Sequence, residues 1–122
     1  IKDAGGQEGP LTCRFTHVYP DGPAPYFSFT CFPGKERMLE VWSQIKRAAN
    51  AAVVRHGGTV THHHAVGRDH RFGGYDAERP PVFATALAGV KGALDPKGVM
   101  NPGVLIDPPG APHRPGGILE TR

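Results

Sequence analysis

Alternating apolar and polar positions open the chain. Leu11, Cys13, Phe15, His17 and Tyr19 fall on one side of an extended segment, and Thr12, Arg14, Thr16 and Val18 on the other. This predicts a strand over 11–19. Pro20 to Pro25 is a turn cluster that ends it. A second strand is expected over 26–32, with Phe27, Phe29 and Cys31 on its apolar side and Tyr26, Ser28, Thr30 and Phe32 opposite. After Pro33-Gly34 the period changes from two to three and four. Met38, Leu39, Val41, Trp42, Ile45, Ala48, Ala49, Ala52 and Val53 predict a helix over 35–56, closed by Gly57-Gly58. A third strand is expected over 59–64, and 65–79 read as irregular and charged. Pro81 suits a first helical turn. Phe83, Ala86, Leu87, Val90 and Leu94 form the apolar stripe of a second helix, which Asp95-Pro96 stops.

Strand, strand, helix, strand, helix and tail make an α+β fold, a partial small antiparallel sheet covered by two helices. Such a sheet has an open edge and an uncovered face, so partner layers are expected in the same protein or another chain. Composition sharpens the boundaries. Gly and Pro are 30 of 122 residues, and 19 of them lie in 1–25 or 96–117. Residues 1–10 are therefore expected to be flexible, 11–106 folded, and 107–122 a disordered tail. The length suits one small domain. No apolar run reaches the roughly 20 residues of a membrane span. The net charge of +3 is spread among acids and bases, which does not predict a nucleic-acid partner. The chain starts without Met or a secretory leader, as a processed product or a piece of a longer protein would. Cys13 and Cys31 lack the spacing of a metal finger and are expected to be buried, reduced thiols of a cytoplasmic protein.

The densest chemistry is Thr61-His62-His63-His64-Ala65-Val66-Gly67-Arg68-Asp69-His70. On a strand His62 and His64 share one side and His63 points the other way. All three cannot reach one metal without a kink. No Cys or carboxylate stands at a usual ligand spacing, so no metal site is expected. The plainer reading is a polar strand end. Tyr26 shares its side with Ser28 and Thr30 and is either an edge aromatic or a proton-transfer group. If its strand neighbours the one carrying His63, phenol and imidazole converge in one cleft. Arg14, Arg68 and Arg71 can fork onto phosphate or carboxylate, or form a solvated basic surface. Gly67 and Gly73-Gly74 permit close backbone approach to a flat or anionic ligand. Nucleotide-binding glycine fingerprints and the nucleophile elbow are absent.

Three separated motifs carry a resemblance. Cys13 to Gly22 with Tyr26-Phe27-Ser28-Phe29, and Gly57 to Gly67, are similar to the substrate domain of the alkyldihydroxyacetonephosphate synthase family. Leu94-Asp95-Pro96-Lys97-Gly98-Val99-Met100-Asn101-Pro102-Gly103 resembles the C-terminal end of FAD-linked oxidases in general. The resemblance covers 11–106, the C-terminal part of the substrate domain. It implies a flavoprotein of ether-lipid synthesis, with FAD held mainly by an N-terminal domain that this sequence does not contain. Tyr26 then matches a proton donor or acceptor, and His62, His63 and His64 match a triple histidine needed for activity. Arg68, Asn101, Pro102 and Gly103 match positions near the cofactor or an anionic group. His63 stands where related lactate and glycolate oxidases carry a metal-binding glutamate, which argues against a metal. Ala65 replaces a usual glycine. The implied partners are an FAD-binding domain or a separate chain carrying it, and a small-molecule substrate that is phosphorylated in the synthases. A homodimer is compatible. The implied setting is cytoplasmic, with attachment to a membrane surface left open. The alternatives are part of a 2-hydroxy-acid oxidoreductase and a non-catalytic docking module.

Overall fold

A computed structural model describes residues 8–61 and 63–111. It falls into two compact units that divide between Ile45 and Lys46. In the first, β1 (Glu8–Tyr19) and β2 (Gly22–Cys31) form a two-stranded antiparallel sheet. The loop between them is only Pro20-Asp21, with Tyr19 facing Gly22 across it. Gly22 adopts φ +136°, in the region that favours glycine. The turn expected to extend to Pro25 is thus shorter. Pro23 and Pro25 sit inside β2, which tolerates them because a strand of a two-stranded sheet has a free side. The pairing slips between Phe15 and His17, which breaks strict alternation there. Val41 and Ile45 are buried on the first half of helix α1 (Met38–Arg55), and Phe29 and Cys31 of β2 pack against them. Leu11, Phe15, Val18 and Phe27 are exposed. Cys13 is exposed and Cys31 half-buried, both as free thiols, so the expected burial fails for Cys13.

Helix α1 closes as its glycines predict. Gly57 takes φ +76°, Gly58 N–H donates to Val53 O at 2.9 Å, and Gly57 N–H donates to Val54 O at 3.0 Å. The second unit then departs from expectation. Among the described residues no third strand forms over 59–64. No strand lies beside it to complete a ladder, and local bonds take over. The Thr59 hydroxyl receives the Thr61 N–H at 3.1 Å, while the Glu78 carboxylate takes the Thr59 hydroxyl and the Val60 N–H at 3.0 and 3.2 Å. Residues 71–75 are a kinked stretch with Gly73 at φ +69°. They lead into one turn of helix, α2 (Asp76–Glu78), and then α3 (Pro81–Leu94), which begins at Pro81 as expected. Gly73 and Gly74 allow close packing. A Cβ on Gly74 would stand 2.8 Å from Val60 Cγ2 and 3.2 Å from Asn50 Cβ. The predicted stripe of α3 is present but not covered. No residue of α3 is buried, and Phe83, Val90 and Leu94 are 52, 55 and 77 % exposed. No described helix is long and apolar enough to cross a membrane.

Candidate functional site

Among the described residues, the second unit has three buried polar side chains, Asn50, Arg71 and Asp95. Each fixes one edge of the histidine loop or of the turn that faces it. Asn50, on α1, donates its amide to Asp69 O at 3.0 Å and Phe72 O at 3.3 Å. It therefore anchors the segment that follows the loop. Its position inside a helix gave no signal of this, because a lone Asn on a helix usually faces water.

Arg71 is the centre of the arrangement, with only 2 % of its side chain exposed. Its Nη1 donates to Gly103 O and to Asp107 Oδ1, both at 3.0 Å. Its Nη2 meets Asp107 Oδ2 and Asp76 Oδ2, again at 3.0 Å. Burial alone would lower its pKa. The bonds to Asp107 and Asp76 outweigh burial and raise it. Arg71 is thus committed to its own chain and does not present a fork to a ligand, contrary to one of the two readings of the sequence. Arg79 adds a second contact to Asp76 at 3.4 Å.

The histidine loop and the Asn-Pro-Gly turn meet through this clamp. Leu105 N–H donates to Gly67 O at 3.1 Å, and Arg68 Nη2 donates to Pro102 O at 2.7 Å. Arg68, Pro102 and Gly103 are therefore brought together, with Asn101 one residue before them in the same turn. Buried Val66 roots the loop. The rings of His63 and His64 meet edge to face at 4.3 Å. His62 lies outside the described residues. Tyr26 belongs to the first unit, where it pairs across the sheet with Arg14, whose guanidinium carbon lies 4.9 Å from the centre of its ring. His63 and His64 lie in a turn and not on a strand, so the neighbouring-strand arrangement expected for Tyr26 and His63 does not arise. No group of three potential metal ligands occurs among the described residues.

Backbone strain concentrates here. Among the described residues, Ala65, Asn101 and Leu105 are the positive-φ residues other than glycine, at +69°, +46° and +66°. Leu105 is the centre of a three-residue turn closed by Ile106 N–H to Val104 O at 2.7 Å. Strain of this kind persists where surrounding bonds over-determine the backbone, and such places cluster at functional sites. The Ala65→Gly variant removes the Cβ penalty at +69°, which exceeds the entropy cost of glycine. Its expected effect is a gain of about 0.5–1 kcal/mol in urea unfolding. A loss of stability would mean that Ala65 is held by packing and carries no net strain.

Asp95, just beyond α3, fixes the approach to the turn. Its carboxylate accepts the Val99 and Met100 N–H groups at 3.0 Å and an ion pair from Lys91. The Lys91 bond foremost, then the two backbone bonds, lower its pKa against the opposing effect of burial. The sequence marked Asp95 only as a helix end. Because the folded value lies below the unfolded value of about 3.9, Asp95 stabilises fully above that pH. The contribution fades as pH falls through the folded value. The Asp95→Asn variant should therefore lose stability at pH 6 and lose much less further on going to pH 3 than the unaltered chain does. Equal pH slopes in urea titrations of the two would refute this.

The residues match a known family along most of the chain. FAD linked oxidases, C-terminal domain, match residues 1–105, and the chain belongs to that family. Among curated proteins it is 32 % identical over 109 residues to the alkyldihydroxyacetonephosphate synthase of Trypanosoma brucei brucei, covering 85 % of this chain and 17 % of the synthase. It is 35 % identical over 102 residues to the Caenorhabditis elegans protein of the same name, covering 83 and 17 %. It is also 30 % identical over 95 residues to the uncharacterized FAD-linked oxidoreductase YgcU of Escherichia coli strain K12, covering 74 and 19 %. The chain thus spans about a sixth of the length of the synthases it matches. No solved structure matches.

The family implies FAD. The histidine loop has a feature that fits a flat group at its side. Gly67 stands at φ +60° with open space where a Cβ would project. Backbone can approach a ligand closely there. Arg68, in the same loop, bonds Pro102 O of the Asn101-Pro102-Gly103 turn.

Proposed function

We propose that this chain is the part of an alkyldihydroxyacetonephosphate synthase-like flavoprotein that brings tyrosine and histidine to the flavin, and that it is inactive without an FAD-binding part. The observation that carries the reading is the fixed union of the strained 63–68 loop with the 101–105 turn through Gly67, Arg68 and Arg71. Such bracing suits side chains that must hold one geometry. FAD, when bound, supplies a two-electron acceptor. In this reading Tyr26 moves a proton at its phenol oxygen, while His62, His63 and His64 orient substrate and balance developing charge. Arg68 attracts an anionic group, such as a substrate phosphate, beside the Asn101-Pro102-Gly103 turn. The substrates are a phosphorylated glycerone ester and a long-chain alcohol: the acyl group leaves as a carboxylate, the alkoxy group of the alcohol takes its place, and there is no net change in oxidation state. Similarity to an FAD-linked oxidoreductase supports a net oxidation as the second reading, with a 2-hydroxy acid as the substrate that the resemblance implies.

The test replaces the matched stretch of the trypanosomal synthase with this chain. The fusion is expected to carry a visible flavin spectrum and to exchange acyl for alkyl chains. The isolated chain with added FAD is expected to show neither. A flavin-bearing fusion that oxidises 2-hydroxy acids and does not exchange chains would establish the second reading. Flavin binding by the chain alone would overturn its dependence on another part.

A further inference from the structure

Glu78, at the end of the single turn α2, holds the segment that leads into the histidines. Its carboxylate spends both oxygens there. Oε1 accepts the Thr59 hydroxyl at 3.0 Å, and Oε2 accepts the Val60 N–H at 3.2 Å. An ionised carboxylate only accepts, so the Thr59 hydroxyl hydrogen points at Glu78. The Thr59 oxygen is left to accept from Thr61, whose N–H lies at 3.1 Å and whose hydroxyl lies at 2.8 Å. One acidic side chain thus sets three consecutive residues, directly or through Thr59. The next residues in the chain are His62, His63 and His64.

Packing supplies only part of this hold. Val60 is buried with its side chain against Gly74. That fixes the depth of the residue, while the Glu78 oxygen fixes the direction of its backbone N–H. Downstream, Asn50 holds Asp69 O and Phe72 O. The loop is therefore fixed where it leaves by an amide and where it enters by a carboxylate. His63 and His64, whose rings meet at 4.3 Å, lie nearer the carboxylate end. We infer that Glu78 is a positioning residue of the proposed reaction. Through Thr59 and Val60 it sets the backbone that leads to His63 and His64, and it does so by its hydrogen bonds and not by its charge. The inference rests on the proposed function, in which those histidines orient substrate and balance charge.

Three variants test this. Glu78→Met keeps the length of the side chain and removes both acceptors. Glu78→Gln removes the charge but keeps a carbonyl for the Val60 N–H and an amide N–H for the Thr59 oxygen. Thr59→Val removes the relay to Thr61 and leaves Val60 bonded to Glu78. In the chain alone, NMR of isotope-labelled histidine reads the ring signals of His63 and His64, which their edge contact displaces. Glu78→Met and Thr59→Val should move both signals toward those of an unstructured histidine while the remaining amide signals stay dispersed. Glu78→Gln should leave them in place. In the fusion to the trypanosomal synthase, Glu78→Met should lower kcat per bound flavin about 10- to 100-fold, the scale of a misplaced group, with KM and flavin content unchanged. Glu78→Gln should keep most of the turnover. The double variant Glu78→Met/Thr59→Val should lose less than the product of the two single losses, because both act on one relay. Histidine signals and kcat per bound flavin that stay unaltered in Glu78→Met, with only a lower unfolding midpoint, would make Glu78 a structural brace and overturn the inference. Failure of Glu78→Gln to keep turnover would overturn it in favour of a role for the charge. If Glu78→Met does not fold, Thr59→Val decides by the same two readouts. An unaltered fusion that binds flavin but exchanges no chains would refute the functional reading, and the histidine signals would still decide whether Glu78 sets the loop.

Discussion

Replacing Arg71 with Ala is expected to cost about 3–5 kcal/mol in urea unfolding, the loss typical when one partner of a buried ion pair is removed. Typical small domains have about 5–15 kcal/mol in total, so this variant should stand near the edge of folding. The size follows from what remains. Asp107 loses both of its bonds to the guanidinium, Gly103 O loses a donor, and Asp76 keeps only Arg79. Asp76, only 13 % exposed, is then left in a desolvating pocket with one cationic neighbour in place of two. Arg71→Lys should recover only part of the loss. One ammonium cannot reach two carboxylates and a carbonyl with the planar fork that Arg71 uses. Arg71→Ala with Asp107→Asn should cost less than the sum of the two single variants, since both remove the same paired bonds. A loss under about 1 kcal/mol for Arg71→Ala would place this pair with exposed salt bridges and remove it as the clamp of the site.

The Arg71 result bears on how much of this molecule could be read from its residues. Periodicity located β1, β2, α1 and α3, because burial patterns and breakers are local properties. Gly57-Gly58 closes α1 through the two backbone bonds that a left-handed glycine allows, and Pro81 opens α3. The expected strand at 59–64 fails because a strand needs a neighbour, and no local pattern reveals whether one exists. The α3 stripe is correct in position, yet a stripe shows that a cover is needed and not which chain provides it. The histidines, Tyr26, Arg68 and the Asn101-Pro102-Gly103 turn stood out through motif resemblance. Arg71, Asn50 and Asp95 did not stand out as anchors. Their roles depend on Asp107, Phe72 and Met100, which lie 36, 22 and 5 residues away in sequence. For Asp95 a signal was available. An aspartate after a helix, followed by Pro and Gly, can accept the N–H groups of the next turn.

Tyr26→Phe is expected to reduce turnover of the FAD-bearing fusion at least about 100-fold, the usual scale of one positioned acid or base. The substitution suits the question because it removes only the phenol oxygen. The ring stays in β2, opposite Arg14, and the stacking of that guanidinium does not need the hydroxyl. Unfolding midpoint and flavin content should therefore remain as in the unaltered fusion. His64→Gln should also lower turnover, while its edge contact with His63 is lost. A side chain that balances charge and one that moves a proton differ in their pH response. Removing a proton-transfer group erases a limb of the pH–rate profile, whereas removing a charge-balancing group lowers the profile without changing its shape. Tyr26→Phe should change the shape and His64→Gln should lower the height. The reverse pattern would exchange the two roles. Near-unaltered turnover with phenylalanine at position 26 would take Tyr26 out of the mechanism, and the proton would then have to pass through the histidine loop.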